Sequence, residues 1–131
     1  MSLDLDNLSD DVLLFVTNRH LATLTTMSRD GALQVTPVGF TYEPEARLAR
    51  VITWATSVKA RNVAAAGAQQ VAVCQVDGGR WLTLYGEATV HDDPERVAEA
   101  VRRYTERYRP PKERTDRVVI EIAVERMIGR A

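Results

Sequence analysis

Thr53-Trp54-Ala55-Thr56-Ser57-Val58-Lys59-Ala60-Arg61-Asn62 is the stretch around which the rest of the chain falls into order. It leaves an apolar run, Leu48 to Thr53, that reads as a β-strand, and enters an alanine-rich segment, Val58 to Ala66, that reads as a helix. Ser57 stands where an N-cap belongs, with a hydroxyl able to accept from the first turn. The leading N–H groups of a helix lack intrahelical partners and carry positive partial charge, so such a corner suits a phosphate or a carboxylate. Lys59 and Arg61 add two cations to a turn where the dipole favours acids. A phosphate-bearing ligand accounts for that placement.

Lysine itself is a signal here. Of the 17 basic residues only Lys59 and Lys112 are lysine, an arginine skew that points to a GC-rich coding background. Lys112 reads as a surface-loop residue, whereas Lys59 falls at the corner just described. The 131 residues suit one domain, 1–131, with one core. A net charge of −1 and a pI of about 6.1 argue against a nucleic-acid partner. No apolar run is long enough for a membrane span, and the start Met1-Ser2-Leu3-Asp4-Leu5-Asp6 is too acidic for a signal peptide, so a cytoplasmic location is expected. Cys74, the only cysteine, lies in an apolar strand and reads as a small buried hydrophobe.

Working outward, Ser9-Asp10-Asp11 caps a first helix to about Asn18, with Val12, Leu13, Phe15 and Val16 on its buried side. Leu21 to Met27 alternates and reads as a strand, followed by the turn Ser28-Arg29-Asp30-Gly31. The next strand, Leu33 to Tyr42, holds Pro37 in its middle, which makes it an edge or a bulge, and Gly39 would let something flat approach the backbone. Gly67 ends the alanine-rich helix, and Gln70 to Val76 and Trp81 to Val90 pair across Asp77-Gly78-Gly79. Asp92-Asp93-Pro94-Glu95 starts a helix to about Tyr108, with a packing stripe of Val97, Val101, Tyr104 and Tyr108. Arg102, Arg103, Arg107 and Arg109 read as its solvated face. Arg117 to Met127 closes the fold.

Six strands, three helices and a predominance of hairpins predict a mainly β protein with helices (α+β): a six-stranded antiparallel Greek-key barrel with flanking helices. So small a barrel has little internal room, so a flat ligand is expected between two copies related by a two-fold axis. There is no HExxH, CxxC, GxSxG, P-loop or GxGxxG, and the two histidines, His20 and His91, have turn or helix-end readings. No metal site and no protein nucleophile are expected; a cofactor would have to carry the chemistry.

Three segments together resemble a known family: Gln34-Val35-Thr36-Pro37-Val38, Ser57-x-Lys59-x-Arg61-Asn62, and Gln75-Val76-Asp77-Gly78-Gly79-Arg80-Trp81-Leu82. They are similar, in order and spacing, to the split β-barrel flavin and deazaflavin oxidoreductases, the superfamily of pyridoxamine 5′-phosphate oxidase. The likeness is strongest to the short actinobacterial members that use coenzyme F420, and among these to the biliverdin reductase group. It implies a split β-barrel homodimer with a cofactor in each inter-subunit groove. Ser57, Lys59, Arg61 and Asn62 would hold the phosphate and nearby tail oxygens. Thr36, Pro37 and Val38 would line the ring system, with Thr53 and Thr56 at its border. Trp81, with Gln75 nearby, would reach it from the other subunit, and Arg80 is a candidate contact for substrate anions. The implied reaction is hydride transfer from reduced F420 to a conjugated substrate, biliverdin giving bilirubin. Gln34 to Val38 lacks the arginine-rich signature of the pyridoxamine-phosphate oxidases, which favours F420 over FMN. Two alternatives stay open: an FMN-dependent oxidase of that type, and a non-catalytic binder of haem, flavin or deazaflavin.

Overall fold

Each helix begins at the residue whose side chain can cap it. Ser9 Oγ accepts from Val12 N at 3.2 Å, Ser57 Oγ from Ala60 N at 3.2 Å, and the Asp93 carboxylate from Arg96 N at 3.2 Å. The computed structural model describes residues 2–131. Its elements run α1 (Asp10–Thr17), β1 (Ala22–Met27), β2 (Leu33–Val38), β3 (Phe40–Glu43), β4 (Leu48–Trp54), α2 (Val58–Ala66), β5 (Gln69–Asp77), β6 (Arg80–His91), α3 (Pro94–Arg107) and β7 (Arg117–Arg130). Gly67 takes φ 77°, the positive value its place after α2 demands.

All strand pairs are antiparallel, in the order β2-β1-β5-β6-β7-β4-β3. The fold class expected from sequence is present as a curled half-barrel with three helices, but its sheet has seven strands where six were expected. The reason lies in Leu33 to Tyr42. Pro37 withholds a donor from the edge strand β2, and at Gly39 the chain leaves that edge. One residue later it starts β3 on the opposite edge of the same sheet. The sheet must therefore curl until its edges meet at Gly39, and that meeting is the split in the barrel.

Alternation fills the inside. Leu24, Val51, Val73, Leu84, Ile120 and Ile122 are almost wholly buried, and α1 adds Phe15. Each such side chain contributes roughly 1.5–3 kcal/mol relative to an exposed one. Gly86 sits at the register shift between β6 and β7, where an added Cβ would lie 2.1 Å from the Ala123 carbonyl oxygen.

The split is sealed by the end of α3. The Tyr108 hydroxyl accepts from Phe40 N at 3.2 Å and donates to His20 O at 2.7 Å. Arg107 donates from Nε to Asn18 O at 2.9 Å and from Nη1 to Phe40 O at 2.5 Å. Arg107 is thus not part of a solvated arginine face, as its sequence neighbours implied. It is 9% exposed, because the backbone groups at the start of β3 and the end of α1 need donors there. No helix among the described residues is long and apolar enough to cross a membrane.

Candidate functional site

The barrel mouth under α2 is polar because the inward positions of the strand ends are threonines. Thr53 Oγ1 donates to Ser57 Oγ at 2.9 Å, and both residues are buried. Asn62 Nδ2 donates to Thr26 Oγ1 at 3.1 Å, which in turn reaches Gln34 Oε1 at 3.4 Å. These bonds fasten α2 across the mouth, with Ala60 and Val63 buried beneath it. They also correct two expectations. Ser57 is occupied as the helix cap and as Thr53's acceptor, so it shapes the corner rather than facing a ligand; the Asn62 amide nitrogen is committed to β1.

Beside this corner lies a groove of about 610 Å³, within the range of cofactor clefts. Its apolar strip is Pro37, Val38, Gly39 and Ile52, with Thr53 and Trp54 from the end of β4. Tyr104 of α3 closes one side. Lys59 enters from α2, its Nζ 5.4 Å from the centre of the Trp54 ring. Burial pushes the Lys59 pKa below its ordinary value of 10.5, since the charged form is partly stripped of water. No carboxylate is within ion-pair distance of it among the described residues, and no acid or histidine lines the groove. A part-desolvated cation without a counter-charge is a vacancy for an anion.

Of the residues expected at the site, Pro37, Val38, Thr53 and Lys59 come together here. Thr36 is one position further along β2, half-buried, with its Oγ1 lacking a hydrogen-bond partner. Thr56 and Arg61 are exposed at the same corner but outside the lining. Gln75 is a different case. It is 0% exposed, donating from Nε2 to Phe15 O at 2.8 Å and accepting from Arg107 at 2.6 Å, so the core uses both ends of its amide and none is left for a cofactor. Arg80 lies over the Phe15 ring at 4.5 Å and pairs with Asp77 at 2.6 Å, away from this groove. Trp81 is half-buried on β6, also outside it. Gly39 is closed rather than open: a Cβ there would meet Tyr104 Cε2 at 2.9 Å and Tyr108 Cε2 at 3.0 Å, so the tyrosines, not a ligand, require the glycine.

Sequence reasoning missed the opposite wall. Arg109, Pro110, Pro111, Lys112, Arg114 and Arg117 line the same groove, brought there by the return from α3 to β7. The run of cations around Pro110-Pro111 was visible, but no local pattern says that it faces Lys59.

A curled antiparallel half-barrel with a cationic groove at its α2 corner defines a small cofactor-binding split barrel. The chain belongs to the pyridoxamine 5′-phosphate oxidase family, whose model matches residues 8–130. It is 48% identical over 124 residues to the F420H(2)-dependent biliverdin reductase of Mycobacterium tuberculosis (strain CDC 1551 / Oshkosh), covering 95% of this chain and 89% of that protein. Two solved structures share its fold. An F420 reductase superposes with a TM-score of 0.69 at 23% identity, over 88% of this chain and 94% of that one. The heme storage protein HutZ of Vibrio cholerae superposes with a TM-score of 0.77 at 16% identity, over 95% of both chains.

Proposed function

We infer that this protein is an F420H2-dependent reductase that passes a hydride from the reduced deazaflavin to a conjugated acceptor, with biliverdin, reduced to bilirubin, as the substrate. The observation that carries the reading is the meeting of unpaired Lys59 with the apolar strip Pro37–Gly39 in one groove. Identity of 48% to an F420H(2)-dependent biliverdin reductase supports the choice of cofactor and acceptor.

The residues present suit such a cofactor. Lys59 takes the phosphate, helped by the free amides at the start of α2, and Arg61 and Thr56 extend from the same corner. Pro37 and Val38 offer a flat, non-ionic surface to the ring, and Thr36 Oγ1, without a partner in the chain, is a hydrogen-bonding group in reserve. When bound, the reduced deazaflavin supplies the hydride. The chain's own part is to hold donor and acceptor faces in contact, to exclude water along Pro37, Val38 and Ile52, and to place positive charge nearby. With no acid or histidine in the lining, water delivers the proton that follows.

A homodimer belongs to the same reading. Leu33, Val35 and Val76 leave 69%, 58% and 63% of their surfaces exposed on the β2 and β5 side of the sheet, an apolar area that a second copy would cover. Trp81 and Arg80, remote from the groove of their own subunit, would then approach the partner's. Single-domain organisation over 1–131 and a cytoplasmic setting complete the proposal.

Turnover decides it. Reduced F420 mixed with biliverdin and catalytic amounts of protein is expected to regain the absorbance of oxidised F420 while bilirubin accumulates. Quenching of F420 fluorescence without its oxidation would instead mark a carrier, and turnover with FMN in its place would mark the oxidase alternative.

A further inference from the structure

The groove has a second cationic wall that one phosphate at Lys59 leaves unused. The connection between α3 and β7 contributes Arg109, Lys112 and Arg114, and Arg117 opens β7 beside them. Arg114 is committed, its Nε and Nη2 reaching the Asp116 carboxylate at 2.9 and 3.1 Å and its guanidinium lying 4.9 Å from the Trp54 ring. The other three are not. Arg109 and Lys112 are exposed, and Arg117 donates only to the Lys112 carbonyl. None of the three has a carboxylate within ion-pair distance among the described residues, although Arg50, Arg96, Arg102 and Arg103 all do. In a chain of net charge −1 this is segregation of charge. The connection's own acid, Glu113, lines the cavity on the far side of the strap instead.

That second cavity, about 570 Å³, separates the connection from Val97 and Val101 of α3. The connection is therefore a strap rather than a packed loop. It is held by Ala55 N donating to Asp116 O at 2.9 Å and by Arg114 on Trp54, and Pro110-Pro111 stiffen it. Positions 109 and 112 are three residues apart outside any helix, up to about 10 Å in extended chain. That is wider than a single phosphate, so a ligand using both cations must carry separated negative groups, as a run of carboxylates does.

We propose that the α3–β7 connection is a carboxylate-binding strap: Arg109, Lys112 and Arg117 engage carboxylates of a ligand lying in the groove whose other end is marked by Lys59. The inference deepens the cofactor reading and rests on it for the occupant. The carboxylates belong either to the glutamyl tail of F420 or to the propionates of a biliverdin-type substrate, and the experiment separates the two.

The test is to titrate the wild type and the double variant Arg109→Gln/Lys112→Gln, with Arg29→Gln, in the β1–β2 turn, as a surface-charge control. The probes are tri-glutamate, F420, F420 trimmed back to its phosphate, biliverdin and biliverdin dimethyl ester, read by tryptophan fluorescence and ligand absorbance at two salt concentrations. The double variant is expected to lose about tenfold or more in affinity for the carboxylate-bearing probes, the loss of a charged contact, and to lose most of its salt dependence, while its melting temperature stays put. A loss for F420 but not the trimmed form assigns the strap to the cofactor tail. A loss for biliverdin but not its ester assigns it to the substrate. Affinities equal to wild type for every probe overturn the proposal. A wild type that ignores both F420 forms would refute the cofactor reading instead, and the tri-glutamate titration would still decide this one.

Discussion

Arg107 Nη2 donates to Gln75 Oε1 at 2.6 Å, and with that bond a buried guanidinium is held entirely by neutral acceptors. Burial lowers its pKa, yet no carboxylate touches it. Asn18 O, Phe40 O and Gln75 Oε1 share the charge instead, and Gln75 passes the link on to Phe15 O. One side chain thereby ties α1, β3, α3 and β5 together at the split of the barrel.

Arg107→Leu should cost about 2–4 kcal/mol, because three buried acceptors lose their donor at once. Arg107→Lys, which keeps the charge but cannot reach all three, should fall between. Urea unfolding measures both, and a midpoint for the leucine variant close to wild type would mean that water replaces the guanidinium without penalty.

Tyr42 makes the opposite case. Its hydroxyl is buried without a hydrogen-bond partner, and burial pushes its pKa up. Tyr42→Phe removes that polar atom and leaves the ring packed, so stability should hold or rise by about 1 kcal/mol. A clear fall in the unfolding midpoint would reveal a partner for the hydroxyl in solution.

Gly39→Ala drives a Cβ to 2.9 Å from Tyr104 and 3.0 Å from Tyr108. The tyrosines must give way, and Tyr104 also walls the groove. The variant should lose about 1–3 kcal/mol, the usual range for overpacking, and bind F420 more weakly. Calorimetry paired with a binding titration tests both halves; lost stability with intact affinity would separate Tyr104 from the ligand.

The pH dependence follows from Lys59. Because burial lowers its pKa, the free protein carries a cost for the charged lysine below the folded pKa, relieved as pH climbs through it toward 10.5. Anion affinity runs the other way. It is complete below the folded pKa and lost as pH rises through it, a loss that begins at lower pH than for an ordinary lysine. Lys59→Arg, whose guanidinium stays charged, should keep its affinity across that window. Dissociation constants for F420 measured on both proteins from about pH 7 to about pH 10 check this, and parallel curves would remove Lys59 from the contact.

Much of this was legible in the residues. Caps at Ser9, Ser57 and Asp93, the turn glycines and the alternation of β1 and β4 are local signals, and they located every helix and nearly every strand. The corner at Lys59 was legible for the same reason. What local pattern does not carry is where one segment lies against another. Nothing within Leu33 to Tyr42 says that its halves sit on opposite edges of a curled sheet. The helical spacing of Arg107 matches that of its exposed neighbours, and only the unsatisfied carbonyls of α1 and β3 draw it inward. Gln75 looked available because it flanks a hairpin, but the register with Ala22 and Leu82 turns it to the core. The strap at Arg109 to Arg117 reaches the groove through tertiary return alone.

The central claim is that Lys59 grips the phosphate of a deazaflavin in the groove beside Pro37 and Val38. Fluorescence titration of F420 into wild type and Lys59→Ala, with FMN as the comparison ligand, tests it most directly. The account predicts tight F420 binding and little FMN binding by the wild type, and an F420 affinity about ten- to hundredfold weaker in the variant. Equal F420 affinity in the two proteins would contradict it.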